Sequence, residues 1–542
     1  MSTDDRTPDE PVDIELDVVA HHQPDQVARD AAAADDLARA AGYSDEALET
    51  LRMVTAEDDE ITDEQRAVRD KTAKSMMLVG IRTVVVRALG LLGTIFLARL
   101  LSPADYGVVA LGLTLVVLGR FFADGGVAPG LIRREEPPSR HEYGALLGFQ
   151  QVVLWPITIV ASILCFTVFD LGGTAGSATV SLMLVATIID VMRSANSIAA
   201  ERDLEYTPIV RAEIVEFAVY NVLAIGLVAG GTGIIGVGIA NIARSLTGSG
   251  LVILWGPLKW VRLGWDFKVI KALARFGIFF QLSWLATLFR DQGLALILAA
   301  VSGRASLGAF DQARRLLVIV TLVFESAWRV GLPGLARMME AGAAPKMLFQ
   351  RGLGLAGVAM TFPVVGLVAT CHWLVPFLLG DGWRETTLLI PWVGAAIMLT
   401  MPIATIISTL LWARDEPKKV FYMGMPALIG TLAIGAVAMT RYDAVGAGIG
   451  LTAGGVIYVA SCIYYATDVF GMKSIPQFLG PILAATGASF AGYFVGRAVG
   501  GGDLPGVLVS GTVSIAVLLV LLMVLARSAA TDLWRFAGKA RS

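Results

Sequence analysis

Eight ionisable side chains interrupt long apolar runs of this sequence: Arg87, Arg244, Arg290, Asp291, Asp311, Arg314, Arg315 and Glu325. A charge in such a run costs about 2.5–3.5 kcal/mol or more unless it faces protein or water. Guanidinium forks suit phosphate and pyrophosphate oxygens, which they bind through paired hydrogen bonds. Carboxylates at the same depth suit proton or cation binding, and Asp291, Asp311 and Glu325 are the candidates for ion coupling. Asp311 and Arg315 stand four residues apart and can pair on one helical face, while Arg314 points about 100° away. Two readings therefore coexist. For Arg315 the internal ion pair with Asp311 is the readier one, although a cavity role stays open. Arg87, Arg244, Arg290 and Arg314 lack a carboxylate one turn away, which favours a cationic cavity between helices.

The elements that must position these groups are membrane-spanning helices. A span needs about 20 mostly apolar residues, and the pattern predicts fourteen, the first at 77–100 and the last at 505–527. Arg87 lies ten residues beyond the start of the first, about 15 Å deep at the helical rise. Arg244 falls near the middle of the sixth (233–256), and Arg290-Asp291 beyond the centre of the seventh (273–301). Asp311, Arg314 and Arg315 occupy the outer half and centre of the eighth (305–329). Arg82 is shallower and can snorkel. Glu213 and Glu216 share a face near the inner end of the fifth span, Asp190 can pair with Arg193, and Asp124 is placed to end the second helix against backbone or Arg120. The Glu213–Glu216 face and the Asp190–Arg193 pair read as interfacial pairs rather than proton carriers.

Composition agrees with an all-α polytopic membrane protein. Of 542 residues 55% are hydrophobic and only 16% charged, and the mean hydropathy is +0.68. Charge is segregated: residues 1–70 carry a net −15 and the remainder +12. The first 60 residues are acidic, alanine-rich and poor in aromatics, so a solvated tail is expected, with a capping box at Thr62–Gln65 opening the first helix. No cleavable signal peptide is expected. Cys165, Cys371 and Cys462 and the four histidines offer no metal spacing, and Gly231–Gly236 matches a dinucleotide fingerprint without the strand such a site requires. No Walker lysine motif occurs, so no cofactor, nucleotide engine or nucleic-acid partner is expected.

Loop charge sets the orientation. With the tail inside, inner loops hold 20 Lys and Arg and outer loops 5, which places both termini in the cytoplasm. Outer loops are a few residues long and leave no room for the catalytic acids of a membrane glycosyltransferase or polymerase; the expectation is a protein that is not an enzyme. A parallel repeat is also visible, FLARLLSPADYG at Phe96–Gly107 against ILAAVSGRASLG at Ile297–Gly308, offset by 201.

LARLLSPADYGVVAL and FADGGVAPGLIRR, within 97–134, closely resemble the opening helix pair of bacterial polysaccharide transporters, the Wzx-type oligosaccharide flippases. These belong to the multidrug, oligosaccharidyl-lipid and polysaccharide exporter superfamily. Glu201-Arg202-Asp203-Leu204, LGAFDQARRL at Leu307–Leu316, GLPGLAR at Gly331–Arg337 and FLLGDGW at Phe377–Trp383 extend the resemblance over roughly residues 72–470. It implies two six-helix bundles in an open V plus two trailing helices, hence a cytoplasmic tail (1–70), bundles at 71–260 and 261–470, and a final pair at 471–542. It further implies a lipid-linked oligosaccharide substrate turned across the bacterial cytoplasmic membrane for surface polysaccharide (lipopolysaccharide or exopolysaccharide) assembly, with membrane lipids, a polymerase and chain-length machinery as partners. A multidrug or cation antiporter of the same superfamily and a scaffold of a glycan assembly complex are the alternatives. Central arginines outnumber acids, which disfavours a cationic cargo.

Overall fold

The structure is a computed structural model and describes residues 63–132, 136–169, 171–340, 345–414, 416–467, 470–471, 474–499 and 502–527. The acidic tail, Thr62, Arg133 and Arg134 lie outside the described residues. The chain divides into two compact units, Met1–Lys74 and Ser75–Ser542. Every regular element described is helical. In order they are α1 (Asp63–Leu100), α2 (Pro103–Asp124), α3 (Val127–Ile132), α4 (Arg140–Thr167), α5 (Thr174–Val191), α6 (Ser194–Arg202) and α7 (Thr207–Leu227). Then follow α8 (Ile235–Trp255), α9 (Phe267–Glu340), α10 (Pro345–Leu379), α11 (Arg384–Ala413), α12 (Pro417–Tyr465), α13 (Ser474–Val499) and α14 (Asp503–Leu525).

Twelve stretches among the described residues are long and apolar enough to cross a membrane. Two of them double back part-way along. α9 is interrupted at Gly303 (φ 84°) and α12 at Asp443 (φ 46°), and both fold back there. In α9 the ion pair Arg314–Asp291 closes to 4.0 Å across the break, where an unbroken helix would hold residues that far apart in sequence about 34 Å apart. In α12 small residues let the two arms touch in antiparallel register. A Cβ on Gly446 would stand 2.3 Å from the Met439 nitrogen, one on Gly450 2.6 Å from the Gly435 Cα, and one on Gly454 1.8 Å from the Thr431 hydroxyl oxygen. Only hydrogen fits at such crossings.

Ser102–Gly107 is the start of α2. Ser102 caps the helix, its hydroxyl accepting from the Asp105 N–H while the Asp105 carboxylate accepts from the Ser102 N–H, and Pro103 occupies the first turn. The helix ends at Asp124, whose carboxylate takes the Gly126 and Ala128 N–H groups, the backbone alternative of the two expected.

α2, α4, α5, α7 and α8 pack among themselves, and α9, α10, α11 and α12 do likewise; α13 and α14 pair with each other and lie on α10. α2 against α9 is the main helix contact joining the first set to the second. At its centre the repeat becomes geometry. A Cβ on Gly107 would sit 1.8 Å from the Arg304 carbonyl oxygen, and one on Gly308 1.9 Å from the Pro103 carbonyl oxygen. Gly107 and Gly308 are equivalent in the repeat, as are Pro103 and Arg304, so each copy seats its glycine on the other's helix start. Around this seal Tyr106 meets the edge of Trp383 (centroids 5.1 Å), and Trp383 Nε1 donates to the Ala98 carbonyl (2.9 Å). Arg99 donates to the carbonyls of Leu378 (2.9 Å) and Phe377 (2.5 Å), and Ser306 Oγ donates to Glu385 (3.1 Å).

Candidate functional site

Just beyond the seal, three cavities open along the second arm of α9. One, of about 230 Å³, lies within the second helix set and is lined by Arg290, Asp291, Arg314, Thr400, Thr431 and Tyr458 among others. Another, of about 240 Å³, lies between the first set and α9 and is lined by Tyr106, Tyr220, Asn221, Asn241, Arg244 and Arg315. The third, about 200 Å³, lies between α2 and α9 and is lined by Thr114, Gln292, Asp311, Arg314 and Arg315. Arg314 borders the first and third, and Arg315 the second and third. These adjacent guanidiniums, aimed about 100° apart by helical geometry, therefore link the cavity of one set to that of the other.

Six of the eight charged residues expected from the sequence gather here: Arg244, Arg290, Asp291, Asp311, Arg314 and Arg315. Arg87, on α1, is not among the residues lining the three cavities. The side chain of Glu325 lies outside the described residues.

Arg244, Arg290 and Arg314 have no carboxylate one turn away, yet each of them meets an acid. Arg244 Nη2 lies 3.3 Å from Glu216 Oε1, and its guanidinium stacks over the Phe217 ring at 4.5 Å. Arg290 pairs with its neighbour Asp291 at 2.9 Å, and Arg314 reaches the same carboxylate at 4.0 Å. The partners were hidden because they come from another helix, from the adjacent residue, or from across the Gly303 bend rather than from one turn along. Arg315 Nε holds Asp311 at 2.5 Å, the ion pair its spacing suggested, and still lines two cavities.

Each flanking acid is shared. Glu216, 1% exposed, serves both Arg193 (2.5 Å) and Arg244, and Asp190 serves Arg120 and Arg193 (3.9 Å). The chain Arg120–Asp190–Arg193–Glu216–Arg244 thus carries three guanidiniums for two carboxylates, and Arg290–Asp291–Arg314 two for one. Among the described residues both of these networks keep one cation in excess when all groups are ionised. Arg193, between two spans, loses some preference for charge through burial, but Glu216 and Asp190 outweigh that and raise its pKa. Arg82 pairs with Glu213, as the shared face of Glu213 and Glu216 suggested for interfacial pairs. Among the described residues no group of three His, Cys, Asp or Glu side chains is placed to hold a metal.

Tyr106, Tyr220, Asn221, Asn241, Thr400, Thr431 and Tyr458 add hydroxyls and amides to the cavity walls. Apart from Tyr106 none of them stands out in the sequence, because neutral polar residues in apolar helices usually bond their own backbone. Tyr106 alone carried a signal: it sits between a helix cap and the Gly107 of the repeat. The arrangement can hold an anion with two or more acidic oxygens, with neutral donors and acceptors beside it.

The family model for "Polysaccharide biosynthesis protein" matches residues 96–388. The chain belongs to that family. Family membership bears out the polysaccharide-transporter resemblance carried by the opening helix pair. Lipopolysaccharide biosynthesis protein WzxC of Escherichia coli (strain K12) is 22% identical over 337 residues, 59% of this chain and 65% of that protein, so the chain spans under two thirds of that relative's length. In fold it is similar to the lipid II flippase MurJ in its inward closed conformation (TM-score 0.66, 13% identity, 83% of this chain and 99% of that one). An inward-facing multidrug resistance MATE family transporter of the MOP superfamily matches with TM-score 0.50, 13% identity, and 73% and 98% coverage. The all-α membrane architecture agrees with these folds.

Proposed function

We propose that this protein turns an isoprenoid-pyrophosphate-linked oligosaccharide from the inner to the outer leaflet of a bacterial cytoplasmic membrane, by alternating access, for surface polysaccharide assembly. The reading takes the helix sets as two lobes, 71–260 and 261–470, with 471–542 as a trailing pair. It counts fourteen crossings, because the bends at Gly303 and Asp443 each divide one apolar stretch into two, and it puts both termini in the cytoplasm. The seal at Gly107 and Gly308 then lies at the outer face. Pyrophosphate occupies the junction of the three cavities, where guanidinium replaces the water lost by the headgroup, while the isoprenoid stays in hydrocarbon. Asp291 and Asp311 are the described carboxylates for ion coupling, and Glu325 remains a third candidate from its sequence position.

The observation that carries this reading is the shared acid on each side of Arg314–Arg315, which leaves cationic excess inside an apolar bundle. Such a surplus repels a cationic drug and stabilises a divalent anion. In a bacterium exporting a polysaccharide through this protein alone, Arg290→Gln with Arg314→Gln should abolish export while protein level and Tm hold. Wild-type export from that double variant, present at normal level, would remove the cavity from the mechanism and leave the scaffold reading.

A further inference from the structure

The segment joining α8 to α9, from Gly256 to Asp266, is a strap rather than a free loop. Asn196 pins it from both sides, its Nδ2 donating to the Lys259 carbonyl (2.8 Å) and its Oδ1 accepting from the Leu258 N–H (3.0 Å). Arg140 Nη2 donates to the Leu258 carbonyl (2.9 Å), and the Gly264 N–H donates to the Gly144 carbonyl (2.9 Å). Contact with α4 is so close that a Cβ on Gly148 would stand 1.8 Å from the Gly264 carbonyl oxygen. Val261 is buried. At the far end Asp266 caps α9, accepting from the Lys268 N–H (2.9 Å) and the Val269 N–H (3.2 Å), and meets His141 Nε2 at 3.1 Å.

With its backbone fastened inward, the strap turns large apolar side chains outward. Trp260, Leu263, Trp265 and Phe267 are 54–65% exposed. They lie outside every candidate span, so contact with lipid tails along a spanning helix does not account for them. Trp255, 42% exposed, ends the preceding span beside them. Arg262, Lys268 and Lys271 are exposed among these rings, and Asp266, the sole acid between 255 and 275, is occupied by the helix start and His141. Interleaved indole rings and basic side chains on a rigid backbone at a membrane edge match a layer of anionic headgroups: rings sit at headgroup level, and cations meet phosphates.

We propose that the strap is a docking surface for anionic phospholipid headgroups of the leaflet it faces. Each basic residue near such a surface raises binding by roughly fivefold, so the three together favour anionic over zwitterionic lipid by on the order of a hundredfold. The assignment is independent of the transported substrate.

The test uses the full chain with Leu263→Cys carrying an environment-sensitive fluorophore; the native cysteines Cys165, Cys371 and Cys462 are buried and stay unlabelled. The labelled protein goes into nanodiscs of phosphatidylcholine alone or mixed with phosphatidylglycerol, and acrylamide, a neutral quencher, probes the label from the water side. Quenching should fall several-fold in the anionic discs. High salt should restore it, and so should the added changes Arg262→Gln, Lys268→Gln and Lys271→Gln. These side chains are exposed, and gel filtration checks that the variant is intact; if it is not, Lys268→Gln alone should give a partial restoration. Equal quenching in both lipid mixtures would overturn the proposal. A phosphatidylglycerol effect that survives loss of the three basic side chains would overturn it too.

Discussion

Less than two helical turns separate two opposite environments on the second arm of α9. At Gly308 the neighbouring backbone comes so close that no side chain fits, and an equal contact at Gly107 mirrors it. At Arg314 and Arg315 the same helix borders three cavities and a row of ion pairs. Shape holds the first region and charge holds the second. The difference teaches how a bundle of apolar helices can keep guanidiniums at depth. A glycine contact ties the two helix sets together at one end, and the space left behind it is polar enough to shelter them.

The charged side of that contrast should break hardest. Glu216 is buried and serves two guanidiniums, so Glu216→Gln leaves both short of an acid. Removing one partner of a buried ion network costs about 3–5 kcal/mol, and thermal unfolding in detergent should show a larger drop than any single change at the seal produces. An unchanged Tm would mean the network contributes nothing to the fold. The shape side should come next. Gly308→Ala forces a Cβ against the Pro103 carbonyl, and overpacking of this kind costs about 1–3 kcal/mol. Gly107→Ala should match it, since the contacts are reciprocal; a large effect at one glycine and none at the other would break the symmetry claimed for the seal.

Trp383→Phe sharpens the same side. It keeps an aromatic ring edge-to-face with Tyr106 but removes the donor to the Ala98 carbonyl, a loss of about 0.5–1.5 kcal/mol. The smallest effect is one of pH. The hydrogen bond from His141 to Asp266, with help from the Val269 and Lys268 N–H groups, holds the Asp266 carboxyl below its ordinary range. A depressed carboxyl contributes stability that is complete above the unfolded value, near about 3.9, and is lost as pH falls through the lower folded value. His141→Ala should therefore lower stability slightly at neutral pH, leave it unchanged below the folded value and so flatten that acid limb, as read by unfolding at stepped pH.

The depth of the charged residues was legible because an apolar run makes each one conspicuous, and six of them do line the cavities. Their partners were not: Glu216 and Arg244 are 28 residues apart on different helices, and Asp291 meets Arg314 only because the chain turns at Gly303. The repeat was visible as a match between Phe96–Gly107 and Ile297–Gly308. That the matched glycines press on each other's helix starts is a fact of three-dimensional packing, and no one-dimensional comparison carries it. Tyr220, Asn221 and Tyr458 carry no signal in the sequence, because a neutral polar side chain in a membrane helix looks the same whether it bonds its own backbone or lines a cavity.

Native mass spectrometry of the purified full chain against farnesyl pyrophosphate and farnesol tests the cationic junction most directly. The wild type should retain the pyrophosphate and not the alcohol, and Arg244→Gln, Arg290→Gln and Arg314→Gln together should weaken it at least roughly tenfold, the loss of one charge-assisted contact. Equal retention of pyrophosphate and alcohol, or full retention by the triple variant, would contradict an anion site built on these guanidiniums.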